Sequence, residues 1–176
     1  PEEPISFEDV LDSDGINSQF LTIKATLRRE GDKVILDYTG TSPQCEGPMN
    51  LPLNPSLTKM RLYNTLRLVA GHRIDIDPEL DANQGIEDLV EVRIPEDCFL
   101  NPTYPAPVSL RHLTAGRNGE VIQGIMAQIF PDTVPATANG SLNCYSLLGV
   151  GRKPEDRWLC FEVTAAGGGG RPHSDG

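Results

Sequence analysis

Residues 20–39 leave the chain little conformational choice. Leu21, Ile23, Ala25 and Leu27 alternate with Thr22, Lys24, Thr26 and Arg28, and because successive strand side chains point to opposite faces, this pattern fits a half-buried strand. Glu30-Gly31-Asp32 supplies a tight turn, after which Val34, Leu36 and Tyr38 resume the alternation. The stretch is therefore a β-hairpin.

Upstream of it, Phe7, Val10 and Leu11 lie among acidic residues, and Asp12-Ser13-Asp14-Gly15 is a turn signature. The same Asp-x-Asp-x-Gly spacing opens a calcium loop, but Ile23 stands where such a loop needs its closing glutamate, so the turn is favoured. Downstream, Asn54-Pro55 starts a helix, Leu62, Leu66 and Val69 form its apolar stripe, and Gly71 ends it; this first helix spans roughly residues 55–70. His72 reads as a cap at its C-terminus.

Residues 73–88, with Ile74 and Ile76, read as a short edge segment and a loop, and Leu89 to Ile94 as a further strand. Pro102, Pro105 and Pro107 force an extended path. Val121, Ile122, Ile125, Met126 and Ile129 then mark a second helix, which begins between Arg111 and Asn118 and stops before Pro131. Gly116 and Gly119 weaken its first turns, which implies either that helices pack closely there or that something approaches the backbone. Leu142 to Leu148 and Trp158 to Thr164 complete the set as two strands, the last reading as buried.

This order predicts a single α+β domain over residues 1–176, with a mixed or mostly antiparallel sheet and two amphipathic helices. With neither a Gly-x-Gly-x-x-Gly after a strand nor a repeated βα period, a doubly wound fold is disfavoured. A net charge of −10 opposes phosphate backbones and anionic lipid, so neither nucleic acid nor a membrane is expected as partner. No apolar run approaches the ~20 residues that cross a bilayer. The four cysteines lack metal-site spacing. Cys98, Cys144 and Cys160 stand beside large apolar residues and read as small buried hydrophobes, reduced, in a cytoplasmic protein.

The final strand discharges into Gly167, Gly168, Gly169 and Gly170, followed by Arg171, His173 and Asp175. Open glycine N–H groups can cradle a carboxylate, phosphate or oxyanion, Arg171 adds a forked donor, and His173 with Asp175 makes an orienting pair or a ligand pair, candidates for catalysis together with Glu162. The alternative is a linker. No Lys-Ser/Thr follows the glycines, so this is not a nucleotide P-loop, and neither Gly-x-Ser-x-Gly nor His-Glu-x-x-His occurs.

Glu162, flanked by Phe161 and Val163, must face the outer side of its sheet or find a partner such as Arg111 or Arg171. Thr41, Gln44 and Asn50, on the long connection after the hairpin, are further binding candidates. A turn network built by their side chains is the competing reading.

Taken in order, Leu36-Asp37-Tyr38-Thr39-Gly40-Thr41-Ser42-Pro43-Gln44, Gly47-Pro48-Met49-Asn50, Asn101-Pro102 with Pro105-Ala106-Pro107-Val108 and Arg111, and Gly167–Gly170 with Asp175-Gly176 make the chain resemble the hydantoinase B/oxoprolinase family. The resemblance implies a middle-to-C-terminal segment of a longer subunit, inactive alone. It also implies an A-type partner that uses ATP and Mg²⁺ to phosphorylate an amide or enol oxygen, after which the B component completes hydrolysis of a cyclic amide such as hydantoin or 5-oxoproline.

Carboxylation of a ketone, as in acetone and acetophenone carboxylases, and a non-catalytic scaffold are the alternatives. The family's metal-ligand motifs fall upstream of Pro1, so a divalent metal is expected there and no cofactor is expected on this segment.

Overall fold

The computed structural model describes residues 3–53, 88–140, 142–153, 155–165, 167–171 and 173–175. The expected helix over 55–70, the cap at His72 and the edge segment at Ile74 and Ile76 lie outside these residues. Described in chain order are β1 (Ile5–Leu11), β2 (Leu21–Glu30), β3 (Lys33–Asp37), β4 (Val90–Arg93), α1 (Arg111–Ile129), β5 (Leu142–Val150) and β6 (Arg157–Ala165). The first four strands form one sheet in the order β1-β2-β3-β4. Its first two pairings are antiparallel and the third is parallel, so the sheet is mixed and the class is α+β.

The hairpin forms as its alternation requires. Glu30 pairs with Lys33 across a two-residue loop, and Leu21, Ile23, Ala25 and Leu27 are buried while their neighbours are not. On β3 the alternation is incomplete, because Ile35 is buried as well as Leu36.

β1 was harder to see in the sequence because Asp9 stands in phase with Ile5, Phe7 and Leu11, where an apolar residue would be expected. Arg117 Nη1, reaching over from α1, satisfies the Asp9 carboxylate at 2.7 Å. The strand then pairs with β2 from Ile5↔Leu27 to Leu11↔Leu21.

Helix α1 starts and stops within the expected bounds and lays Val121, Ile122, Ile125 and Met126 against β1 and β2. Each such side chain taken fully from water contributes about 1.5–3 kcal/mol. Close approach sets the helix glycines: a Cβ on Gly124 would stand 2.6 Å from the Phe7 ring, and one on Gly116 would stand 2.6 Å from the Gly140 carbonyl oxygen.

β5 and β6 pair as a separate two-stranded antiparallel sheet, and here the expectation of a buried final strand is corrected. Trp158 is 50% exposed, Phe161 59% and Leu148 81%. Apolar residues occupy both faces of this ribbon, and composition reports apolarity without saying what covers it. The reading of Cys144 and Cys160 as buried is corrected with it, since Cys144 is exposed and Cys160 half-buried, whereas Cys45 and Cys98 are buried. Among the described residues no helix is long and apolar enough to cross a membrane.

Candidate functional site

The connection after β3 runs beside the segment that follows β4, joined by backbone bonds from Gln44 N to Asp97 O (2.7 Å), Leu51 N to Phe99 O (2.7 Å) and Leu53 N to Leu100 O (2.9 Å). An irregular segment rich in proline has carbonyls that no ladder satisfies, so side chains must donate to them. Gln44 and Asn50 do so. Gln44 Nε2 donates to Pro105 O (3.4 Å) while its Oε1 accepts from Thr103 N (2.7 Å).

Asn50, fully buried, donates through Nδ2 to the carbonyls of Cys45 (2.8 Å), Gly47 (3.1 Å) and Pro107 (3.1 Å), and accepts from Cys45 N (3.1 Å). Thr41 Oγ1 accepts from Lys24 N and donates to Lys24 O, stitching the loop to β2. The side chains of Thr41 and Asn50 are thus spent on holding the loop. Arg111, exposed at the start of α1, donates to Val108 O at 3.1 Å.

What the sequence did not reveal is the partner of this loop. Asp14 is only 3% exposed and accepts from the backbone N–H groups of Ile16 (2.8 Å), Asn17 (2.5 Å) and Gly47 (3.0 Å). The bonds from Asn17 and Ile16, with that from Gly47, hold its carboxyl below the usual carboxylate range despite burial. Gly47 has to be glycine, because a Cβ there would stand 1.8 Å from the Asp14 carbonyl oxygen. Burial pushes the Cys45 thiol up, and the Asp14 charge adds to it, so Cys45 stays protonated and is no nucleophile.

Between residues 14–21 and 42–46 opens a cavity of about 360 Å³, lined among others by Asp14, Asn17, Gln19, Phe20, Gln44 and Glu46. Asn17 Nδ2 bridges its two carboxylates, 3.4 Å from Asp14 Oδ2 and 3.3 Å from Glu46 Oε2. The Asp-Ser-Asp-Gly turn was legible in sequence. That its second aspartate also caps a loop thirty-three residues on is a tertiary fact.

The glycine run occupies a different place. Three side chains of α1 grip the segment after the helix: Arg117 Nη2 donates to Asn139 O (2.6 Å), Glu120 Oε2 accepts from Ala138 N (2.6 Å), and Gln123 Nε2 donates to Pro135 O and Ala136 O (3.2 and 2.9 Å). Ala136 N in turn donates to Gly170 O at 2.9 Å. A Cβ on Gly169 would stand 1.7 Å from Ala136 O, whereas Gly167, Gly168 and Gly170 face open space.

Arg171 and Ser174 exchange backbone bonds, and Arg171, His173 and Asp175 are exposed. Glu162 is exposed too, takes a 3.7 Å contact from Cys160 Sγ, and forms no ion pair with Arg111 or Arg171 among the described residues. Among the described residues no group of three or more His, Cys, Asp or Glu could hold a metal ion.

The mixed sheet, its covering helix and a polar loop beside a cavity make up an α+β unit. The chain belongs to the Hydantoinase B/oxoprolinase family, whose model matches residues 1–176. It is 32% identical over 152 residues to an uncharacterized protein of Methanocaldococcus jannaschii, covering 86% of this chain and 24% of the other. It is 28% identical over 167 residues to the B component of a putative D-/L-hydantoinase from a Pseudomonas species, covering 94% and 27%. It is 31% identical over 104 residues to 5-oxoprolinase 1 of Arabidopsis thaliana, covering 59% and 7%.

The crystal structure of an ATP-dependent caprolactamase from Pseudomonas jessenii shares the fold, with a TM-score of 0.63, 19% identity, and coverage of 85% of this chain and 25% of that one. The chain spans about a quarter of the length of the first two relatives named.

Proposed function

We propose that this chain is a segment of a hydantoinase B-type component of an ATP-dependent cyclic-amide hydrolase. The observation that carries the reading is the family match over all 176 residues, reinforced by the place of Ser42, Pro43 and Gln44, the end of one of the two most specific segments of the resemblance, in the lining of the cavity. Relatives named as a hydantoinase component and a 5-oxoprolinase, and a structural neighbour described as a caprolactamase, support action on the amide of a ring.

In this reading an A-type partner supplies ATP and Mg²⁺, and a divalent metal belongs to family motifs outside this chain. The residues here bind and orient. Glu46 and Gln19 offer an acceptor and a donor to a ring amide, and Phe20 offers an apolar face. The glycine run, with Arg171, His173 and Asp175, forms a second exposed polar wall, and Glu162 and Arg111 stay at the periphery.

The test is turnover of the full-length protein together with its ATP-binding partner on hydantoin, 5-oxoproline and caprolactam. ATP-requiring ring opening of at least one of the three is expected. Ring opening without ATP, or ATP consumption that depends on bicarbonate and a ketone, contradicts the reading, the latter in favour of a carboxylase.

A further inference from the structure

The cavity between residues 14–21 and 42–46 carries two carboxylates, Asp14 and Glu46, and among the described residues no cationic side chain lines it. Its volume of about 360 Å³ exceeds what a five- or seven-membered ring needs, and falls in the roughly 300–1,000 Å³ range of small-molecule sites. Asp14 is ionised and its oxygens are committed to N–H groups. Glu46 is exposed and binds Asn17 through Oε2, with Oε1 engaged by none of the described residues.

Gln19 also has no hydrogen-bond partner among the described residues, and the Phe20 ring beside it is 67% exposed. The walls therefore offer an anionic acceptor, a carboxamide able to donate and accept, and an aromatic face. Nothing in them compensates a negative ligand, and the chain's charge of −10 adds to the same field.

Resting on the cyclic-amide reading, we infer that this cavity selects an uncharged cyclic amide by its ring N–H and excludes ring substrates that carry a free carboxylate. An N–H donor fits the open Glu46 oxygen, a ring carbonyl fits the Gln19 amide, and the ring plane fits Phe20. A ligand carboxylate in the same space would stand within several ångströms of two like charges, which at an effective dielectric near 20 to 80 weakens binding by about tenfold or more.

The test is titration of the protein at pH 7, followed by NMR and calorimetry, with three probes: hydantoin, 5-oxoproline, and the primary carboxamide of 5-oxoproline. The last two keep the same ring and differ chiefly in charge. Hydantoin and the carboxamide are expected to shift the resonances of Asn17, Gln19 and Glu46, with 5-oxoproline at least about tenfold weaker. Glu46→Gln, on an exposed side chain, is expected to narrow that gap several-fold while the urea midpoint stays in place.

Equal binding of acid and carboxamide, shifts confined to residues outside the cavity, or no binding of any probe at millimolar concentration would each overturn the inference. Turnover separates the two readings. ATP-dependent opening of 5-oxoproline with equal binding sinks the selectivity and keeps the enzyme, whereas selective binding without ATP-dependent ring opening does the reverse.

Discussion

Asn50→Ala is the substitution that best distinguishes a loop-holding asparagine from a substrate-binding one. The side chain accepts one hydrogen bond, from Cys45 N, and its Nδ2 faces three carbonyls, so two hydrogens are shared among Cys45, Gly47 and Pro107. Truncation forfeits two to three bonds at about 1 kcal/mol each and leaves a buried N–H unsatisfied for about 1–3 kcal/mol more, a total of about 3–6 kcal/mol. With a urea slope near 2 kcal/mol per molar, the unfolding midpoint should fall by about 2 M, followed by circular dichroism.

Asn50→Asp keeps the acceptor for Cys45 N but turns the donor into an oxygen aimed at three carbonyl oxygens. Desolvation and repulsion raise the new carboxyl's folded pKa above its unfolded value near 3.9. The deficit is thus full at neutral pH and shrinks as pH falls through the raised value, where a protonated carboxyl can donate again. A loss below about 1 kcal/mol for Asn50→Ala, or an Asn50→Asp deficit that grows on acidification, would refute the reasoning.

Gly169→Ala, whose Cβ would stand 1.7 Å from the Ala136 carbonyl oxygen, should release the Ala136 amide from Gly170 and raise its hydrogen-exchange rate; Gly168→Ala, in open space, should leave it unchanged. Gly47→Ala, 1.8 Å from the Asp14 carbonyl oxygen, should lower the thermal midpoint by at least about six degrees, or prevent folding, taking a ΔΔG of about 3 kcal/mol or above. Backbone N–H groups lower Asp14, Arg28 and Arg93 lower Glu30, and bonds from Thr39 and Arg28 outweigh the upward push of burial on Asp37. Their stabilisation is present above the unfolded carboxylate values, near pH 4, and is lost as pH falls below them, so the urea midpoint should drop between about pH 4 and pH 2. With a chromogenic disulfide reagent, Cys144 and Cys160 should react in the native protein, while Cys45 and Cys98 wait for unfolding.

Where local pattern dictates local structure, the sequence was enough. The hairpin followed from period-two alternation, and the bounds of α1 from its apolar stripe and Pro131. Strand β1 stayed hidden because an ion pair with Arg117, made across the fold, rescues the charge at Asp9. β6 misled because a strand apolar on both faces has the same composition whether covered or not.

At the candidate site, the Thr41–Asn50 loop was legible from its polar residues and from the family resemblance, but its architecture was not. All three chosen side chains hold backbone, Gln44 while also lining the cavity. The cavity wall instead depends on Asp14 and Asn17, neighbours in one turn, meeting Glu46 and Gly47 through tertiary contact.

Thr114 of α1 donates to Met49 O at the end of the signature loop, and Gln123, nine residues on, grips the strap that carries Gly170. At 1.5 Å per residue those anchors stand about 14 Å apart along one rod. The consequence concerns length. Residues 151–156 between β5 and β6 can gain or lose residues without moving either anchor, but a single insertion between Thr114 and Gln123 would swing one motif about 100° around the helix axis relative to the other. Among homologues, α1 should keep its spacing where the ribbon's loop does not.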